Sequence, residues 1–224
     1  MKSLLTTLFL AALCSVSAQK TYYIGQHTEG GVVFHLFQDS LGKQHGLVVS
    51  LNNLTREAEW GDKEKDIESC ESSWDGRANT TAIMFATRDT TKAAGLCDSY
   101  VSEGFDDWYL PAIFELQAIN TNLFTVERAL SEIPNTDQVE MNLYWSSTES
   151  NAASAWFFSF YDSKPTNYYD KTSKTLVRAV RSFCLFYTFL FAKKNQANNT
   201  LYPSSKSKIA KRSSAGMVRC LFLM

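Results

Sequence analysis

The 224-residue sequence holds only 5 cysteines, 3 histidines and 4 prolines, and what it lacks narrows its chemistry. It has no C-x-x-C pair and no Cys/His cluster with zinc spacing, so neither a dithiol redox motif nor a zinc centre is expected. His27 and His45 sit in turns and His35 in mid-strand, which is not the pattern of a metal trio. Ser146 and Ser147 lack the Gly-x-Ser-x-Gly elbow of a hydrolase nucleophile. Asp106 and Asp107 are neighbours, and neighbours on a strand point to opposite faces, so they do not make an acid pair. Asp62, Glu64, Asp66, Glu68 and Glu71 lack the glycine-punctuated loop of an EF-hand. No catalytic residue, metal or cofactor is expected. No apolar run is long enough to span a bilayer stably.

The net charge of −1 hides a division along the chain. Met1–Ala18 holds one lysine and no acid, and Lys193–Met224 holds seven basic residues and no acid. The middle keeps 14 basic against 23 acidic residues, a net of −9. Such a surface repels phosphates, so nucleic acid is not an expected partner. Lys2, the apolar Leu4–Leu13 run and the small residues Val16-Ser17-Ala18 read as a secretory signal, residues 1–18, with Gln19 as the first mature residue. Leu13 before Cys14 does not suit a lipid-attachment site. Export allows disulfides among Cys70, Cys97, Cys184 and Cys220, and spacing does not choose their pairing.

The chain is organised around Asp106–Leu116. Trp108 and Leu110 have the alternation of a short strand, Pro111 turns the corner, and Ile113, Leu116 and Ile119 fall at helical spacing. Ahead of it, Thr21–Ile24 predicts a short strand. Val32–Phe37 and Leu47–Leu51 predict a hairpin. Asn52–Asn79 reads as a long loop anchored by Trp60 and Trp74. Thr80 or Thr81 is expected to cap a helix reaching Val101, weak at Thr87–Thr91. A further helix is placed around Val126–Leu130. Leu143–Ser147, Ala155–Phe160 and Leu176–Phe183 predict strands, with a tyrosine-bearing loop between the last two. After Phe183 the composition changes to an apolar run and then a basic Ser/Asn/Lys-rich stretch, so 184–224 is read as an atypical, disordered tail on a domain of residues 19–183.

The ordered set Tyr23-Ile24-Gly25, Gly30-Gly31-Val32, His45-Gly46-Leu47, Asp107-Trp108-Tyr109-Leu110-Pro111 with Glu115-Leu116, Tyr144-Trp145-Ser146-Ser147-Thr148-Glu149 and Val177-Arg178-Ala179-Val180-Arg181 resembles the Lcl C-terminal domain family of collagen-like adhesins. The resemblance runs from about Tyr23 to Phe183. It implies an α+β, C-type lectin-like fold, with two early helices packed on a twisted antiparallel sheet that carries a long loop region. It also implies a secreted or surface-exposed, non-enzymatic binding domain for a glycan or a surface protein. No collagen-like repeat precedes the domain. The Glu-Pro-Asn and Trp-Asn-Asp calcium motifs of lectins are absent, and Ile133-Pro134-Asn135 matches only half of the first. The rival reading is a structural or assembly component of the cell envelope.

Exposed tyrosines provide rigid amphipathic contact area, so Tyr161, Asn167, Tyr168 and Tyr169, with Glu149 and Trp156, form the expected ligand-binding set. Trp108 and Trp145 are assigned to the core, with Pro111 as the corner. Asp107, Glu115, Arg178 and Arg181 are assigned structural roles, charges in strands being held mostly as buried ion pairs. For Cys97, a buried free thiol ranks first. A bridge to Cys184, implied by the lectin-like resemblance, ranks second, and one to Cys70 third.

Overall fold

A computed structural model of the chain describes residues 21–184. The signal segment, Cys14, Cys220 and the tail after Cys184 lie outside the described residues. The fold opens with β1 (His27–Thr28), β2 (Gly31–Gln38) and β3 (Gln44–Ser50). The β-branched runs of β2 and β3 pair as an antiparallel hairpin with a bulge between Val33 and His35. Asp39 closes its turn by accepting the N–H groups of Leu41 and Lys43 at 2.9 Å each. The strand expected at Thr21–Ile24 is not there. Gly25 takes a left-handed turn (φ 86°), and pairing with β2 begins only as the Gly25 N–H meets the Val33 carbonyl.

The stretch expected to be one long loop contains β4 (Thr55–Ala58) and the start of α1 (Gly76–Thr87). This helix starts ahead of Thr80 because Asp75 is its cap, accepting the Ala78 N–H at 2.9 Å. Thr80 instead turns inward to the Leu110 backbone. At Arg88, in the left-handed region (φ 53°), the helix stops, and α2 (Ala93–Asp98) follows. Thr87–Thr91 is therefore a true break.

Tyr109 makes only an isolated bridge to Val180, so Trp108–Leu110 is not a regular strand. The reason is local: Leu110 donates its N–H to Thr80 Oγ1 at 3.0 Å, which removes it from any ladder. Pro111 lies one residue before the cap, Ala112, of α3 (Ile113–Thr121), and α4 (Leu123–Ser131) follows at once. The described residues thus hold four helices, where the resemblance implied two early ones, and the hairpin precedes them. No described helix is long and apolar enough to cross a membrane.

The chain ends in β5 (Leu143–Glu149), β6 (Ala155–Ser159), β7 (Lys164–Thr166), β8 (Thr175–Val177) and β9 (Val180–Cys184). One sheet has the order β1-β2-β3-β9 and the other β4-β8-β5-β6-β7, all antiparallel except the β5–β8 contact at Tyr144 and Leu176. The single strand expected over Leu176–Phe183 is split because Arg178 and Ala179 carry the chain from one sheet to the other. The buried Arg178 holds that crossing. Its guanidinium donates to the carbonyls of Ser50, Leu51 and Asp137 and to the Asn53 amide oxygen, so carbonyls rather than a carboxylate satisfy it. One core gathers Trp60, Trp108, Trp145 and Phe157, and the other gathers Phe34, Tyr109, Leu116, Tyr144 and Phe158. The mixed helix-and-sheet class is plain, with the second core lying between the first sheet and α3 and α4.

A candidate binding groove beside the first sheet

Beside the first turns of α3, the face of the first sheet is left partly uncovered and forms a groove of about 310 Å³. His35 and Phe37 of β2, Leu47 of β3 and Ser182 of β9 make one wall. Trp74, Asp75 and Arg77 at the start of α1 make the second, and Phe114, Glu115 and Ala118 of α3 the third, with Tyr109 behind them. Trp74 and Phe114 are 49% and 54% exposed, large apolar rings left open to solvent. Phe114 stands outside the Ile113, Leu116 and Ile119 stripe that α3 buries, so its exposure follows from helical phase.

Gly76 brings the walls together. A Cβ there would lie 2.4 Å from Glu115 Oε2 and 2.5 Å from the Ala112 nitrogen, so only glycine lets α1 approach the start of α3 this closely. Glu115 is buried beneath the groove. Its Oε2 accepts the Ala112 N–H at 2.7 Å and its Oε1 accepts the Tyr109 hydroxyl at 2.8 Å. Burial pushes its pKa up to about 8 against the pull of those two donors, so the carboxyl is mainly neutral at pH 7. Burial also raises the Tyr109 hydroxyl, and partial burial lowers His35, which favours the neutral imidazole. Arg77 stacks over the Tyr109 ring at 4.9 Å and donates to the Asp107 carbonyl and Ser182 Oγ, both at 3.1 Å. Asp107 also takes Arg181, whose guanidinium reaches Glu29 and lies 4.0 Å from the Phe105 ring centroid. Trp108, Pro111 and Trp145 are buried, and the indole of Trp145 donates to the Ala58 carbonyl.

The expected tyrosine surface is only partly assembled. Tyr161 and Tyr168 are 79% and 69% exposed, and Asn167 is exposed and donates to Ser150 Oγ. Tyr169 is half-buried, stacked on Phe157 at 4.9 Å and packed edge-on to Tyr168. Trp156 does not join them. It alternates with Phe157 along β6 and packs against the other core. Glu149 does not join them either, because its carboxylate is buried against Lys171 and accepts the Ile67 N–H at 3.0 Å and the Cys70 thiol at 3.4 Å. Lys171 in turn donates to the Lys65 carbonyl and lies over the Trp60 ring, which ties the two long loops to the end of β5.

Cys97 is a free, fully buried thiol. Burial raises the pKa of both Cys97 and Cys70 above the ordinary thiol value, so neither is an activated nucleophile. No group of three His, Cys, Asp or Glu side chains among the described residues is placed to hold a metal ion. The groove residues Phe37, Trp74, Arg77, Phe114 and Ser182 were missed in the sequence. The signals that could have found them are Phe114, out of phase with its helix, and Trp74, directly before an Asp-Gly helix start.

No curated protein matches the chain. Among solved structures it is similar to a fimbrial protein from Bacteroides ovatus ATCC 8483, at 16% identity and a TM-score of 0.48. That similarity covers 62% of this chain and 36% of the other, so the chain spans little more than a third of that protein. The family model of the Lcl C-terminal domain matches residues 54–181, from the approach to β4 through Arg181, which is more than half of the sequence. The chain belongs to the Lcl C-terminal domain family.

Proposed function

We propose that this chain is an exported, surface-exposed, non-enzymatic binding domain of C-type lectin-like fold, adhesin-like in role, whose ligand is a glycan or a surface protein. The observation that carries this reading is the groove, where the half-exposed Trp74 and Phe114 and the more sheltered Phe37 line a concavity alongside a few polar groups. A concave, mainly apolar site with a small number of placed polar side chains is the usual form of a ligand pocket. The raised thiols of Cys70 and Cys97, which are not activated nucleophiles, support binding over thiol catalysis. Trp74→Ala should abolish attachment of the purified protein to glycan-bearing or cell surfaces while the thermal transition stays in place. Unchanged attachment would overturn the assignment to the groove.

A second reading, an envelope assembly component that docks on another protein, is favoured by the exposed Tyr161, Asn167 and Tyr168 on the loop around β7. Tyrosines of this kind supply contact area at low entropy cost. Capture from envelope extract that is lost on Tyr161→Ala/Tyr168→Ala, but retained on Trp74→Ala, would establish this surface instead.

A further inference from the structure

Resting on the groove reading above, we infer that the groove takes a lysine side chain of a surface protein, its ammonium held between the Trp74 ring and the Asp75 carboxylate. Charge complementarity calls for the cation. Arg77 and Arg181 both meet Asp107, and Arg181 also meets Glu29, so these two cations are balanced by those two acids. Asp75 is left over. One of its carboxylate oxygens caps α1 by accepting the Ala78 N–H, and the side chain makes no ion pair among the described residues. Glu115 can only add negative charge if it ionises. A histidine such as His35, with an ordinary pKa of about 6.5, is uncharged at pH 8, so at that pH the site holds at least one surplus negative charge. The 14 basic against 23 acidic residues of the middle of the chain draw cations toward the same unit.

The rings and the apolar wall set the kind of cation. Trp74 and Phe114 are about half exposed, and no ring or cation lies against either among the described residues, so their faces are open. An ammonium over such a face is attracted by the ring quadrupole, most strongly for tryptophan. Trp74 and Asp75 are consecutive and both line the groove, which puts an open indole beside a carboxylate oxygen that has no partner. On the sheet wall Phe37 and Leu47, with Ala118 of α3, offer hydrocarbon without a hydrogen-bonding group. A lysine suits both halves, since its methylene stem lies on apolar surface while its charged head stays at the water boundary. An amino sugar would set hydroxyl groups against the same hydrocarbon and lose their hydration. A guanidinium fork wants both oxygens of a carboxylate, and Asp75 has one already taken.

The test titrates the full chain, at pH 8 and physiological salt, with a capped glycine peptide carrying one lysine and with the same peptide carrying acetyl-lysine or norleucine instead. A parallel titration at pH 7 uses methyl glucosaminide. Tryptophan fluorescence reports binding, since Trp74 is the most exposed indole, and calorimetry gives the affinity. The lysine peptide should bind about tenfold or more tightly than either uncharged peptide. Asp75→Asn keeps an oxygen to cap α1, so it should fold as the parent does and bring the lysine peptide down to the level of the uncharged ones. Trp74→Ala should weaken the lysine peptide by a similar factor, read by calorimetry. Equal binding of all three peptides, lost on Trp74→Ala, would overturn the lysine inference and leave the groove reading standing. Lysine binding unchanged by Asp75→Asn would overturn it as well. Binding of the glucosaminide alone would move the cation to a glycan and overturn the assignment to a protein ligand. If no peptide binds, or if binding persists in Trp74→Ala, the inference fails. The groove reading is then decided separately, by whether Trp74→Ala reduces attachment to cells.

Discussion

Glu149 at the end of β5 and Glu115 in the first turn of α3 are both buried, and each gives one oxygen to a backbone N–H. They differ in the partner of the other oxygen. For Glu149 it is the ammonium of Lys171, itself buried over the Trp60 ring. For Glu115 it is the hydroxyl of Tyr109. A buried carboxyl given a cation can remain an anion and tie distant loops together. One given only neutral donors sheds its charge instead, and its pKa rises to about 8. The first site is a latch between loops, and the second is an uncharged floor under an open groove.

Removing the cation tests the latch most severely. Lys171→Met should destabilise the domain by about 3–5 kcal/mol in urea denaturation at pH 7, because it leaves the Glu149 carboxylate buried without its partner. A loss below about 1 kcal/mol would mean that Glu149 is as indifferent to its partner as Glu115, and the contrast would collapse.

The pH dependence tests the other member. The folded state keeps a proton on Glu115 up to about pH 8, whereas the unfolded chain releases it near the ordinary value of 4.5. The folded state therefore binds more protons across that window, and this group's contribution to stability falls as pH rises from about 4.5 to 8, by at most about 1.4 kcal/mol per pH unit. Glu115→Gln should remove that slope. It should match the parent within about 1 kcal/mol near pH 4.5, since the amide oxygen still accepts the Ala112 N–H and the amide NH2 can donate to the Tyr109 oxygen in place of accepting from it, and be the more stable form at pH 8. Parallel stability–pH curves for parent and variant would show that Glu115 is ionised in the fold. At the bottom of the scale, Trp74→Ala should change stability by no more than about 0.5 kcal/mol, because the ring is half open to solvent. A larger loss would make the groove wall part of the core.

The contrast between the two glutamates was not readable in the sequence, where Glu115 is a lone acid between Phe114 and Leu116 and Glu149 a lone acid between Thr148 and Ser150. Their difference rests on Lys171 and Tyr109, and the lysine stands 22 residues from its glutamate. Local periodicity did reveal the β2–β3 hairpin, the buried stripe of α3 and the strands β5 and β6, because each of these patterns lies within a few residues. It failed where a side chain overrode the local signal. Thr80 looked like a helix cap but bonds to Leu110, and by taking that N–H it also prevents a regular strand at Trp108–Leu110. The groove was invisible for a different reason. Its walls come from residues 35 to 182, joined by a register between β2, β3 and β9 that no single window contains.

One contact has a consequence for engineering. The rings of Tyr22 and Phe183 pack with centroids 4.5 Å apart, and the Tyr22 N–H is held by the Gln44 side chain at 2.8 Å. The first and last parts of the folded unit therefore leave it side by side. A short linker joining residue 184 to residue 22 should be enough to permit circular permutation, with new ends opened in the exposed turn at Leu41-Gly42. The same neighbourhood of ends suits the unit to insertion as a single excursion from a loop of a host protein, with the groove still displayed.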